Sequence, residues 1–309
     1  MNEVELIRNV CSGLPKADTV IVGPGDDCAV VDVTGSERLQ LLKTDAVVEG
    51  IHFDRQTDAR LVGRKALARA LSDIAAMGGR PDHALITLGL PERFEASWVE
   101  EAYAGLVAIA NDYGVTVVGG ETTRNPGGYL LSISLTGWVE KTSLVTRSGA
   151  ETGDAIFVSG ELGGSRAGHH LTFTPRLNES AWLCEEHTVH AMIDISDGLA
   201  SDLRHLLSAS GRGAEIRLAS LPVSRAAKLA EKEGSGSKPA RLAALTDGED
   251  FELLFCCRAR DAVQLLDGWR QVFPEVPLTC IGKIMENEGL FLRDEHGVKP
   301  APDHGYLHF

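Results

Sequence analysis

The chain has 309 residues and a formal net charge of −14, with 44 Asp and Glu against 30 Lys and Arg. That balance leaves no basic cluster for the counterion release that drives nucleic-acid binding, which excludes nucleic acid as a main partner. Six cysteines without a CxxC pair give neither a zinc site nor a disulfide scaffold, and no apolar run reaches the ~20 residues that cross a bilayer.

Reduced thiols and an acidic, helix-like start (MNEVELIRNV) in place of a signal peptide predict a soluble, cytoplasmic protein. A first helix is expected over Glu3–Val10, stopping near Gly13. Val20–Val22 reads as a short strand before the turn Gly23-Pro24-Gly25, with further strands at Cys28–Val33 and Leu39–Lys43. Helical spacing runs from Arg60 to Met77 and stops at Gly78-Gly79. His83–Leu90 reads as a strand and Ser97–Tyr113 as a helix stopped by Gly114. Val115–Val118 reads as a buried strand, and Tyr129–Val139 alternates with Leu131, Ile133 and Leu135 on one face. The polar stretch Lys141–Asp154 marks a boundary, giving domains 1–140 and 141–309. The second opens with strand Ala155–Ser159 and a Gly-rich turn, Gly160–Gly164. A helix should start near Asp197, Lys228–Ala240 reads as a surface loop, and Phe251–Cys256 and Leu278–Ile284 as strands.

Five acidic spots stand beside glycine, at expected strand ends or on an apolar helix face. In GPGDDCAV, adjacent side chains of an extended segment point opposite ways, so one of Asp26 and Asp27 faces a site and the other supports the turn, unless both belong to a surface turn. Thr44 and Asp45 close an apolar strand and together suit a hard cation, with His52 shortly after, though Asp45 could cap a turn and His52 be structural. Asp73 borders the apolar stripe of its helix, where a carboxylate needs a metal or a salt bridge to Arg64 or Arg69. Glu121 follows Gly119-Gly120 beyond a strand, where α/β proteins gather ligands or where a tight turn needs a cap. Asp194 ends a strand, and Ser196 and Asp197 precede Gly198 and a helix that Asp197 could N-cap. Several carboxylates drawn from both halves imply Mg²⁺ held against phosphate near the domain junction. No G-x-x-x-x-G-K-[ST] loop and no protein-kinase set is present.

The runs GDDCAV (25–30), TDAVVEGIHF (44–53), LSDIAAMGGRP (71–81), GGETTR (119–124), TRSGAETGD (146–154), DISDGLASDL (194–203), GEDFELLF (248–255) and GYLHF (305–309) together resemble the thiamine-monophosphate kinase family of the aminoimidazole ribonucleotide synthetase-like ATP-binding superfamily. The resemblance implies an α/β (α+β) chain of two domains: an N-terminal mixed sheet with helices that pairs with a second subunit as a homodimer, and a C-terminal α/β sandwich. It implies ATP-dependent phosphorylation of thiamine monophosphate with several Mg²⁺ ions and no general base. Asp27, Thr44, Asp45, Asp73, Glu121, Asp194 and Asp197 match its metal positions. Tyr103, Gly120, Glu121, Arg147 and Ser196 match positions near ATP; His52, Glu249 and Tyr306 match substrate contacts. Tyr103 could instead be core, Arg147 a loop cap and Tyr306 an anchor for the C-terminus. Glu121 stands where the family has Asp, Asn125 to Gly128 change the next loop, and the stretch Gly164–Asp194 is short. Sister enzymes fit less well: Cys11 lies in a helix-to-turn context unsuited to selenophosphate synthesis, and the chain ends on Phe309 rather than the Cys of the hydrogenase maturation protein. A non-catalytic nucleotide or metal sensor is the remaining alternative, favoured only by Glu121.

Overall fold

A computed structural model describes residues 3–301 except Ser12, Lys16 and Ser237. The first half runs α1 (Glu3–Cys11), β1 (Val20–Val22), β2 (Ala29–Val31), β3 (Arg38–Val48), α2 (Ala59–Ala76), β4 (Arg80–Leu90), α3 (Ala96–Asp112), β5 (Thr116–Arg124) and β6 (Leu130–Glu140). Its six strands are ordered β1-β2-β3-β6-β4-β5; β4 and β5 pair in parallel and the rest antiparallel. Alternation in β3 explains why the sheet has one covered face. Leu39, Leu41 and Val47 are buried on the α2 side, whereas Leu42 and Thr44 face the other way and are exposed.

The second half runs β7 (Ala155–Ser159), α4 (His169–Thr172), α5 (Leu177–Glu186), β8 (Val189–Asp194), α6 (Leu199–Ser210), β9 (Gly213–Arg217), α7 (Arg225–Glu233), α8 (Ala240–Thr246), β10 (Leu253–Cys257), α9 (Ala262–Val272), β11 (Leu278–Met285), β12 (Gly289–Asp294) and β13 (Gly297–Pro300). Its seven strands are ordered β13-β12-β9-β11-β7-β10-β8. The central strands AIFVS and LLFCC are buried throughout, as continuous apolar runs require when both faces of a sheet are covered. Phe157, Met192, Leu253 and Phe255 join the core of the first half, while Ile156, Val158, Leu254 and Cys256 join a separate core under α6 and α8. One of the two apolar cores is therefore shared by both halves, and the other belongs to the second half alone. The fold is the two-unit α/β arrangement expected, with mixed sheets in both halves.

Helices α2 and α3 approach closely through a reciprocal pair of glycines. A Cβ on Gly63 would lie 1.7 Å from the Ala102 carbonyl oxygen, and one on Gly105 would lie 1.9 Å from that of Arg60. Backbone cannot yield as a side chain can. Gly63→Ala is therefore expected to lower stability by about 3 kcal/mol, the upper part of the overpacking range, measured as the urea midpoint. An unchanged midpoint would refute so tight a crossing.

Four local expectations need correction. Thr44 and Asp45 do not end a strand: β3 continues to Val48, because Ala46 to Val48 keep pairing with β6. Gly119 and Gly120 form no turn. They lie within β5, an exposed edge strand paired only with β4, and Val118 is more than half exposed. Gly120 is required there because a Cβ would sit 1.9 Å from the Ile86 carbonyl oxygen. Asp197 does not cap α6; Gly198 holds the N-cap position, and the Asp197 N–H donates to Asp202 Oδ2 at 3.0 Å. Helix α7 takes in the first part of the stretch read as a loop, as far as Glu233, with Ser224 as N-cap accepting from the Ala227 N–H and Gly234 as a left-handed C-cap.

Candidate active site

The site is organised along one face of α2. Lys65, Arg69, Ser72 and Asp73 follow one another at intervals of four, three and one, a single stripe at helical periodicity. Each reaches a different segment. Lys65 Nζ donates to Glu249 Oε1 at 2.6 Å, Arg69 Nε to Asp45 Oδ2 at 2.9 Å and Ser72 Oγ to Asp194 Oδ2 at 2.6 Å, while Asp73 Oδ1 pairs with Lys43 Nζ at 2.7 Å. The expected Asp73 bridge to Arg64 or Arg69 is thus corrected. Arg64 turns to the carbonyls of Leu171 and Phe173, and Arg69 is engaged by Asp45.

Buried oxygens of Asp27, Asp73 and Asp194 lie within 4.8 Å of one another, two from the first half and one from the end of β8. Of the adjacent pair, Asp27 faces this cluster. Asp26 holds the turn, accepting the Asp27 N–H at 3.0 Å and the Arg147 N–H at 3.1 Å. Arg147 Nη2 donates to Asp27 Oδ1 at 2.5 Å. Burial, and then Asp27, push the Asp194 carboxyl up to about 7. Burial likewise lifts Asp73 against the pull of Lys43, with Asp194 adding to the rise. Burial opposes the charges on Lys43 and Arg147, but neighbouring carboxylates outweigh it and hold both protonated. Three carboxylates thus face two cations. Asp27 Oδ2 and Arg147 Nε are both buried without a hydrogen-bond partner among the described residues. An oxygen-rich cluster with an orphaned carboxylate oxygen fits a hard divalent cation, and the orphaned N–H beside it fits an anion.

A cavity of about 570 Å³ is lined by His52, Arg69, Arg166, Ser196, Asp197, Glu249 and Phe251, with Ala226, Ala227, Ala230 and Ala243 keeping one wall shallow. Burial, followed by nearby cations, lowers His52 and His170 to about 4, so both imidazoles are neutral near pH 7. His52 Nδ1 accepts the Val48 N–H at 3.1 Å, which assigns its ring proton to Nε2. Glu249 Oε2 is another buried atom without a hydrogen-bond partner. Three of the four such side-chain atoms among the described residues therefore lie at this cavity or the carboxylate cluster; the other is Arg212 Nε. Along α2, Lys65 and Asp73 are eight residues apart, about 12 Å at helical rise.

The structure does not bring every expected residue together. Thr44 and Asp45 point to opposite faces of β3. Glu121 is paired with Thr87 on the open face, three strands from β3, about 14 Å away by strand spacing. Tyr103 is half-buried and packs against the core. Ser196 and Asp197 line the cavity, and Tyr306 lies outside the described residues. Sequence reading missed Lys43, Lys65, Ser72 and His170, and named Arg69 only as a candidate partner of Asp73. The four-residue spacing of Lys65, Arg69 and Asp73 was the available signal.

The family model described as AIR synthase related protein, N-terminal domain, matches residues 25–139, and its C-terminal domain counterpart matches 142–294. The thiamine-monophosphate kinase of Rhodopirellula baltica is 42% identical over 284 residues, covering 89% of this chain and 86% of the relative. That of Escherichia coli K12 is 37% identical over 316 residues, covering 94% and 92%. A solved structure of AaThiL complexed with AMPPCP and TMP is 33% identical with a TM-score of 0.82, covering 100% of this chain and 97% of that one.

Proposed function

The chain belongs to the AIR synthase related family and, within it, to the thiamine-monophosphate kinases, and on that premise we propose how its own residues transfer the terminal phosphoryl group of ATP to thiamine monophosphate. A phosphate oxygen of the acceptor attacks the terminal phosphorus, the bond to the bridging oxygen breaks, and ADP and thiamine diphosphate leave. The attacking oxygen is already anionic near neutral pH, so no base is needed. The barrier is repulsion between polyanions, and catalysis reduces to positioning and charge stabilisation.

The observation that carries this reading is the orphaned pair, Arg147 Nε beside Asp27 Oδ2. A buried donor and a buried acceptor left open together suit a phosphate and its counter-cation. Mg²⁺, held by Asp27, Asp73 and Asp194, would supply neutralisation of phosphate charge. Asp45 and Asp197 are proposed as further ligands. Arg147 offers its free N–H to phosphate, and Ser196, two residues after Asp194, lines the cavity. His52 and Glu249, joined by Tyr306, form the thiamine side, where the shallow alanine wall leaves room for flat rings.

A homodimer is part of the proposal. The open sheet face carries Leu42, Leu85 and Val118, all more than a third exposed, and Thr44 and Glu121 share it. A second copy seated there would bring Tyr103, Gly120 and Glu121 of one chain into a site with Thr44 of the other only if the nucleotide spans both. No helix among the described residues is long and apolar enough to cross a membrane. A cytoplasmic location is proposed on the six free cysteines.

A coupled ADP-release assay tests the reaction. ADP release is expected only when thiamine monophosphate, ATP and Mg²⁺ are all present. Equal release with unrelated phosphate acceptors, or none with thiamine monophosphate, would overturn the proposal.

A further inference from the structure

We infer that Lys65 is a positioning residue for substrate recognition: its ammonium fixes the Glu249 carboxylate at the wall of the cavity. The inference rests on the proposed reading of that cavity as the thiamine side.

Lys65 is fully buried and is not itself among the residues lining the cavity. An ammonium has three N–H donors and no acceptor. All three are used: the His52 carbonyl at 2.8 Å, His170 Nδ1 at 2.7 Å and Glu249 Oε1 at 2.6 Å. These partners come from the loop after β3, from α4 and from the loop before β10. One nitrogen therefore ties together three segments around the cavity.

The backbone of Glu249 is held independently. Its φ of 67° is left-handed, as is the 53° of Phe251, a conformation that a non-glycine residue keeps only when its surroundings impose it. Its N–H donates to the Ser196 carbonyl at 2.7 Å, and its carbonyl accepts from Ser165 Oγ at 2.7 Å. What remains to be set is the direction of the side chain, and Lys65 sets it through Oε1.

Oε2 is then left without a donor. His170 Nδ1 is 3.4 Å away, but it accepts from Lys65 and has no proton to give. Arg166 Nε forms an ion pair with Oε2 at 3.6 Å, longer than a hydrogen bond. Burial draws the Lys65 ammonium down to about 8, opposed by Glu249, so it is charged at neutral pH. A carboxylate held at the cavity wall with one oxygen free of hydrogen bonds suits a ligand bearing an N–H group or a cationic heterocycle.

The test is a double-mutant cycle on Lys65→Met and Glu249→Gln, with Michaelis constants for both substrates. Lys65→Met is expected to raise KM for thiamine monophosphate about tenfold or more while changing KM for ATP less than about threefold. Glu249→Gln should do the same, and the double variant should match Glu249→Gln alone within about threefold. Multiplying effects in the double variant, or an unchanged KM in Lys65→Met, would overturn the positioning role while leaving the cavity assignment intact. An unchanged KM in Glu249→Gln would remove the cavity assignment and the inference with it. If Lys65→Met does not fold, Lys65→Arg replaces it: the bulkier guanidinium in the same buried place should displace Glu249 and raise KM for thiamine monophosphate in the parent but not in the Glu249→Gln background, and an unchanged KM in the parent would overturn the positioning role.

Discussion

Asp194→Asn is expected to cut turnover by about 10³-fold, some 4 kcal/mol of lost transition-state stabilisation, while making the metal-free protein more stable. Both effects have one cause. Asp194 is buried beside Asp27 and Asp73, and burial followed by Asp27 raises its carboxyl to about 7. Its charge therefore destabilises the fold unless a cation is present. The amide keeps an acceptor for the Ser72 hydroxyl, which donates at 2.6 Å, and removes the repulsion. It also weakens the cation site. The pH dependence has a definite sign. A carboxyl whose pKa is raised by folding contributes a penalty above its folded value, relieved as pH falls through about 7 toward the unfolded value of 3.8. The stability gap between variant and parent should therefore close on acidification. Calorimetry with and without a chelator reads the stability, and the coupled assay reads turnover. A variant within about tenfold of parent activity would refute the role of the cluster.

Arg176→Met is expected to cost about 3–5 kcal/mol, because it strands a buried carboxylate. Arg176 grips Glu252 through both oxygens, Nε to Oε2 at 2.7 Å and Nη2 to Oε1 at 2.6 Å, and Ser159 Oγ adds a third bond at 2.6 Å. Glu252 cannot swing to water: it is 2% exposed, and the chain at Gly160 passes so near that a Cβ there would be 2.0 Å from Oε1. The pair anchors the segment carrying Glu249 and Phe251. The urea midpoint should fall with unchanged slope, and the double variant Arg176→Met/Glu252→Met should recover part of the loss. A midpoint within about 0.5 kcal/mol of parent would show the pair to be dispensable.

Sequence legibility divided along physical lines. Long periodic segments, such as Arg60–Met77 and Ser97–Tyr113, emerged within a residue or two of α2 and α3. Asp73 was legible because a carboxylate on an apolar helix face needs a partner, and Asp194 because it ends an apolar strand; between Asp26 and Asp27 the residues alone left the choice open, and the family resemblance pointed to Asp27. The errors arose where local chemistry had two solutions. Gly119-Gly120 reads as a turn, yet the glycines serve close packing of β5 on β4. Asp197 has the chemistry of an N-cap, but Gly198 fills that position. Thr44 and Asp45 read as a ligand pair only if strand alternation is ignored. Lys65 was invisible because a lysine within an apolar helical run reads as surface; its burial depends on three partners distant in sequence.

The stripe along α2 makes the site depend on phase as much as on composition. A helix turns by about 100° per residue. A single alanine inserted between Lys65 and Arg69 would preserve every functional side chain and the helix propensity. It would nonetheless rotate Lys65 out of line with Arg69, Ser72 and Asp73, setting the Glu249 end and the carboxylate cluster out of step. Helix length between residues 65 and 73 thus acts as the molecule's ruler, so this stretch should tolerate substitution on its other faces far better than any change of count.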